Sequence, residues 1–192
     1  DWYDYQAMRA LCRPMGDLDL WLPPEALSKA QEALEASGYR QGHKTTRPVA
    51  LQALHGGEVQ LGGGTPGRGL VELHYSAFGG EWLHRTTTIA GDCVACRTRP
   101  VTVAGCEAWA LGPEDAVLQL GLHLAVNHQM SYSGIRSLVD IVLQARAQPP
   151  DWAVVAERAR AWRVAAATWL VLDLANRLLG LAGAEKAIER LR

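Results

Sequence analysis

The sequence predicts an α+β chain, with strands and helices mixed up to about residue 110 and helices alone after it. Three observations carry that prediction. Asp17–Leu22 and Leu70–Tyr75 alternate polar and apolar residues with a period of two, the pattern of half-buried strands. Between them, Glu25–Ser37 places Ala26, Leu27, Ala30, Ala33 and Leu34 at helical spacing. From Pro113 onward, long amphipathic segments replace the alternation.

The elements follow in order. Residues 1–12 predict a short helix or arm, and residues 17–22 a strand. Pro23-Pro24 ends that strand, because proline cannot donate to a sheet ladder. The helix over Glu25–Ser37 stops at Gly38, where a C-terminal glycine belongs. Tyr39–Thr46 predicts a short strand, and Arg47–Leu61 is ambiguous. Gly62-Gly63-Gly64-Thr65-Pro66-Gly67 is glycine-rich but lacks the Gly-Lys-Ser/Thr ending of a phosphate-binding loop and precedes a strand, so it predicts a hairpin turn. Arg85–Val103, rich in Thr, Val and Arg, predicts one or two edge strands, and Gly105–Gly112 closes the region. Helices are expected over Ala116–Met130, Ile135–Ala147, Asp151–Trp162 and Ala165–Leu181. The domains are therefore drawn as 1–110 and 111–192.

Composition bounds the function. The 192 residues are 48% hydrophobic and 20% charged, enough for a real core in one domain or two small ones. A net charge of -1 excludes a global basic field for nucleic acid or anionic membrane. No run is long and apolar enough to span a bilayer, and no signal peptide is visible, so a cytoplasmic protein without a membrane partner is expected. Four cysteines are too few for a disulfide scaffold. Cys93-Val94-Ala95-Cys96 has half a zinc site's spacing with no second half after it, so reduced thiols are expected. The chain starts at Asp1 without Met and runs straight into Trp2-Tyr3-Asp4-Tyr5, from which a preceding N-terminal piece is expected.

The chemistry concentrates in Gly16-Asp17-Leu18-Asp19-Leu20-Trp21-Leu22. On a strand Asp17 and Asp19 share one face, and Leu18, Leu20 and Leu22 share the other, which a core would bury. Two close carboxylates repel and resist desolvation, and a hard divalent cation relieves both costs. That points to metal-assisted phosphoryl or nucleotidyl transfer, against the plainer reading of a solvated strand edge. Val71-Glu72-Leu73-His74 repeats the alternation. If the two strands are neighbours, three carboxylates and an imidazole meet on one face; alone, Glu72 reads as solvent-facing and His74 as its polar neighbour. His123 and His128 are five apart, not the four that puts two ligands on one α-helical face, and read as packing residues. Arg136 and Asp140 read as an (i, i+4) helix salt bridge, and Trp152, Trp162 and Trp169 as core.

Taken in order, Arg13-Pro14-Met15-Gly16-Asp17-Leu18-Asp19, the helix to Gly38-Tyr39, Val71-Glu72-Leu73-His74-Tyr75, and a helical tail with His123 and Asp151-Trp152 resemble the uncharacterised nucleotidyltransferase family of the DNA polymerase beta-like superfamily. The resemblance covers almost the whole chain. It implies a small mixed β-sheet nucleotidyltransferase-like core with flanking helices, followed by an α-helical C-terminal bundle. It further implies that Asp17, Asp19 and Glu72 hold Mg²⁺ (or Mn²⁺) and serve catalysis, with Glu72 also available as a base. Arg13 would reach a phosphate or pair with these carboxylates, and His74 would touch substrate or orient Glu72. The superfamily's upstream glycine motif, which helps to hold the triphosphate, is missing from Asp1–Cys12, so the piece is truncated or the site degenerate.

The leading expectation is an enzyme moving a nucleoside monophosphate from an NTP to a hydroxyl of a small molecule, a protein side chain or an RNA end. Near-neutral charge argues mildly against a long nucleic-acid acceptor. The alternatives are a degenerate, antitoxin-like binding or regulatory module of the same fold and a metal-dependent phosphohydrolase.

Overall fold

The computed structural model describes residues 17–42, 57–64, 69–89, 91–131 and 134–192. The predicted arm over 1–12 and Arg13 lie outside these residues. The chain divides into two compact units after Glu81. The sequence reading drew its boundary near 110, so the segment 82–110 here belongs with the helices.

Among the described residues, the first unit holds a four-stranded mixed sheet and one long helix. Its strands are β1 (Asp17–Trp21), β2 (Tyr39–Gln41), β3 (Glu58–Gly63) and β4 (Leu70–His74), in the order β1-β4-β3-β2. β1 runs parallel to β4, and the other two pairings are antiparallel. β3 and β4 form the hairpin that the glycine run predicts, with the Gly63 N–H donating to the Gly69 carbonyl at 3.3 Å.

Helix α1 (Pro24–Ala36) follows β1 directly. Pro23 is the extended N-cap and Pro24 the first helical residue, where its missing N–H costs nothing. Gly38, at φ +90°, turns the chain out of the helix with its N–H on the Glu35 carbonyl, a conformation that a Cβ would oppose. Leu27 from α1 packs on Val59 and Leu61 of β3 and Val71 and Leu73 of β4, ringed by Leu22, Ala30, Leu34, Tyr39 and Tyr75. Each large aliphatic buried here contributes about 1.5–3 kcal/mol.

One expectation fails at this core. Leu18 and Leu20 remain 48% and 37% exposed, and of the three leucines on that face Leu22 alone joins the cluster. The cause is topological: β1 ends the strand order, with β4 as its one neighbour among the described strands, and α1 packs over β3 and β4.

In the second unit, Arg85 lies in helix α2 (Glu81–Thr86), not in a strand. Leu83 anchors α2 at 2% exposure, and Thr86 and Thr87 donate their hydroxyls to the carbonyls of Trp82 and Leu83, satisfying the helix end. A short helix α3 (Gly91–Ala95) follows. β5 (Arg99–Val103) and β6 (Cys106–Ala110) then form a separate antiparallel pair, so the segment read as closing the region is itself a strand.

The remaining helices are α4 (Pro113–Leu122), α5 (Gly134–Ala147), α6 (Trp152–Ala161), α7 (Ala165–Leu179) and α8 (Glu185–Leu191), the last beyond the sequence reading. The stretch His123–Asn127, expected to continue α4, is a π-helix. Val117, Leu118, Leu122, Ile141, Val155, Val171 and Leu172 fill the core between these helices. Asp115 is fully buried beneath two arginines: Arg97 reaches it at 2.7 and 3.2 Å and Arg158 at 2.9 Å. Asp140 turns inward at 4% exposure while Arg136 is exposed. Trp162 is buried, with the Arg97 guanidinium 5.9 Å from its ring centroid.

Candidate metal centre

The parallel pairing of β1 and β4 sets Asp19 directly beside Glu72. The antiparallel pairing of β4 and β3 sets Glu72 beside Gln60 and His74 beside Glu58. Since side chains alternate, Asp17, Asp19, Glu58, Gln60, Glu72 and His74 all project from the face opposite the leucine core. The adjacency of these two strands, which the sequence posed only as a condition, is met.

Burial on this face is graded. The Asp19 side chain is 55% exposed, Glu72 only 8%. A buried carboxylate needs partners. The Gln60 amide donates to Glu72, and also to Glu58 at 2.8 Å, which holds it in place. His74 Nε2 bonds Asp19 Oδ1 at 2.7 Å and stands 3.7 Å from Glu72 Oε2, and its Nδ1 is 3.9 Å from Glu58 Oε2. Burial alone would lower the His74 pKa. The hydrogen bond to Asp19 and the charges of Asp19, Glu58 and Glu72 outweigh it, and the pKa rises above the ordinary imidazole value.

Asp19, Glu72 and His74 each offer one ligand atom within 4.8 Å of the others. Atoms bound to one Mg²⁺ at 2.0–2.1 Å stand at most about 4.2 Å apart, so closing on an ion needs less than about an ångström of side-chain movement. The donors are two hard oxygens and a nitrogen, with the polar Gln60 behind them. The residues fit a divalent cation. Asp17 projects from the same face, two residues before Asp19 and level with Leu70, outside this trio. Arg13 lies outside the described residues.

Glu58 and Gln60 were not singled out in the sequence. The signal was present in the alternation Glu58-Val59-Gln60-Leu61, obscured because a single polar-apolar repeat beside a glycine run reads equally well as loop. Among the described residues, Cys93, Cys96 and Cys106 are exposed free thiols of the second unit, and Cys12 lies outside the described residues. Among the described residues no helix is long and apolar enough to cross a membrane.

The described residues thus carry a mixed sheet with an acidic pair on parallel neighbouring strands, followed in the chain by helices. In comparison with known families, residues 4–180 match the family described as uncharacterised nucleotidyltransferase, and the chain belongs to it. No curated protein and no solved structure matches the chain.

Proposed function

We propose that the chain is a divalent-metal-dependent nucleotidyltransferase, moving a nucleoside monophosphate from an NTP to a hydroxyl of an acceptor. The observation that carries this reading is the register of Asp19 against Glu72, an open carboxylate beside a buried one, in a chain of this family. Asp17, Asp19 and Glu72 would hold Mg²⁺ (or Mn²⁺), which when bound would lower the pKa of the attacking hydroxyl and offset charge on the triphosphate and the leaving pyrophosphate.

The acceptor oxygen bonds to the α-phosphorus, the bond from that phosphorus to the bridging oxygen breaks, and pyrophosphate leaves. The acceptor's proton passes to a carboxylate of the cluster, and Glu72 serves as the base. Gln60 orients Glu72, and His74 orients Asp19 while offsetting its charge. Arg13, just before the acidic strand in sequence, contacts phosphate. Positioning and charge stabilisation supply most of the rate.

The test is thermal stability with each NTP, with and without Mg²⁺, beside an assay of pyrophosphate release with hydroxyl acceptors of the three classes. A nucleotide-dependent rise that requires Mg²⁺, with release that requires an acceptor, is expected. Release in which water is the acceptor makes the protein a phosphohydrolase and overturns the transfer. No shift with any NTP overturns the nucleotide site and favours a binding or regulatory module.

A further inference from the structure

We propose that Cys93 and Cys96 form a dithiol/disulfide exchange site, which closes to an internal disulfide on reaction with a small-molecule disulfide such as oxidised glutathione. Free cysteine is among the most buried residue types. Here both thiols are exposed, while Val94 between them is only 1% exposed. Val94 anchors the turn Cys93-Val94-Ala95-Cys96 in the core and leaves both thiols in solvent, three residues apart.

The backbone sets the pair at bonding distance. Cys93 lies in α3, and Cys96 directly follows its last residue. The chain keeps turning there: the Arg97 N–H donates to the Val94 carbonyl and the Thr98 N–H to the Ala95 carbonyl, each at 3.1 Å. On an α-helix, residues three apart have Cα atoms about 5 Å apart. On the tighter three-residue turn the separation is about 6 Å and the side chains eclipse. A disulfide spans about 4.4–6.8 Å between Cα atoms, most often about 5.5–6 Å. Both geometries fall inside that window, so side-chain rotation closes the bond with little change of backbone.

The far side of the pair is fixed as well. Arg97 bonds the buried Asp115 at 2.7 and 3.2 Å, and a Cβ on Gly112 would stand 2.9 Å from the Arg97 carbonyl oxygen, so the backbone there is closely packed. The Thr98 hydroxyl donates to the Ala95 carbonyl at 2.8 Å. Two thiols held between such anchors meet at high effective concentration, which favours closure on each other over capture of a second external molecule. In the exchange, one cysteine thiolate attacks a sulfur of oxidised glutathione, the glutathione S–S bond breaks, and one glutathione leaves as thiolate with the electron pair. The other cysteine, its proton lost to water, attacks the cysteine sulfur of the mixed disulfide and expels the second glutathione. The pair gives up two electrons and two protons, and one oxidised glutathione becomes two thiols. Cys106, exposed on β6, has no cysteine at this spacing and stops at the mixed disulfide.

The test equilibrates the full chain, with chelator present, in glutathione buffers of stepped composition. Remaining thiols are trapped with N-ethylmaleimide and the peptides mapped by mass spectrometry. The peptide holding Cys93 and Cys96 should lose two hydrogens and take up no N-ethylmaleimide, and dithiothreitol should restore both thiols. At the midpoint the internal disulfide should exceed the mixed disulfide on that peptide by about tenfold or more. Cys106 in the same samples should carry glutathione only. In Cys93→Ser or Cys96→Ser, the remaining thiol of the pair should behave as Cys106 does. Mixed disulfides on Cys93 and Cys96 without an internal bond at the most oxidising composition overturn the inference, and so does pairing of either with Cys12 or Cys106. No nucleotide or metal enters the test, so its outcome is independent of the proposed transferase activity.

Discussion

Glu72→Gln isolates the electrostatics of the acidic face, because glutamine keeps the shape and removes the charge. The carbonyl of the new side-chain amide can still accept from Gln60. What changes is repulsion with Asp19 and attraction to His74. Two charges 4.8 Å apart, the limiting separation in this cluster, repel by about 3.5 kcal/mol at an effective dielectric constant of 20 and about 0.9 in bulk water. Asp19 is more than half exposed, which argues for the lower part of that range, about 1 kcal/mol. The attraction to protonated His74, 3.7 Å from Glu72 Oε2, is of similar size and opposite sign.

The pH dependence follows. The folded-state pKa of His74 is raised, so its stabilising charge is fully present below the unfolded value and is lost as pH rises through the folded one. At acid pH the substitution removes an attraction and a repulsion together, and the net effect is close to zero. Above the raised folded-state pKa, with His74 neutral and no metal present, only the repulsion is removed, and Glu72→Gln should stabilise the sheet by about 1 kcal/mol. Hydrogen exchange of the Leu70–His74 amides, with variant and parent compared at the same pH in chelator, reads this as a roughly fivefold gain in protection above that pKa. Mg²⁺-dependent turnover should fall about a hundredfold in the same variant, about 3 kcal/mol of barrier. Lower protection at both pH values would refute the reasoning, since Glu72 would then be a net stabiliser and not a strained ligand.

Three further outcomes are expected. Asp17→Asn with Asp19→Asn should abolish Mg²⁺ and Mn²⁺ binding in calorimetry while circular dichroism stays unchanged, and retained affinity would remove both from the site. Asp115→Ala should cost about 3 kcal/mol in urea denaturation, because it leaves Arg97 and Arg158 facing each other without their shared acid; a loss below about 0.5 kcal/mol, the level of an ordinary surface substitution, would show that solvent replaces the carboxylate. Cys93→Ser, at an exposed position, should move the stability of the reduced chain by less than about 0.5 kcal/mol, and a zinc-dependent melting temperature would contradict that.

What the sequence made legible was local and periodic. β1, α1 and β4 appear where alternation, helical spacing, proline and glycine place them, and the shared face of Asp19, Glu72 and His74 follows from period two once β1 and β4 are adjacent. What was hidden depended on tertiary context. The exposure of Leu18 and Leu20 comes from the place of β1 at the end of the strand order, which no window of sequence encodes. α2 occupies a Thr-rich stretch because Leu83 is buried and Thr86 and Thr87 bond back to the helix. The ring contact between His123 and His128 was missed for a sharper reason: the spacing rule assumed 3.6 residues per turn, and the π-helix changes the rule itself.

The same edge position that exposes two leucines also shapes the acidic site. A parallel neighbour sets one carboxylate beside another across 53 residues of chain, and the end of the strand order leaves the β1 carboxylate open while the β4 carboxylate is enclosed. Two buried acids would neutralise by taking up protons, and two exposed ones would bind an ion weakly against water. On the proposed function, one of each would keep a charge beneath the surface and place a second, bonded to His74, where it would close over an ion and its phosphate ligand. Gln60 and His74 then divide the supporting work, the amide holding the buried acid and the imidazole the open one. On this account Gln60→Leu should raise the KM for metal-bound NTP and lower kcat together, because it disturbs the enclosed ligand. His74→Gln should act mainly on KM, because it releases the open one. The reverse split would assign the two supports the other way round.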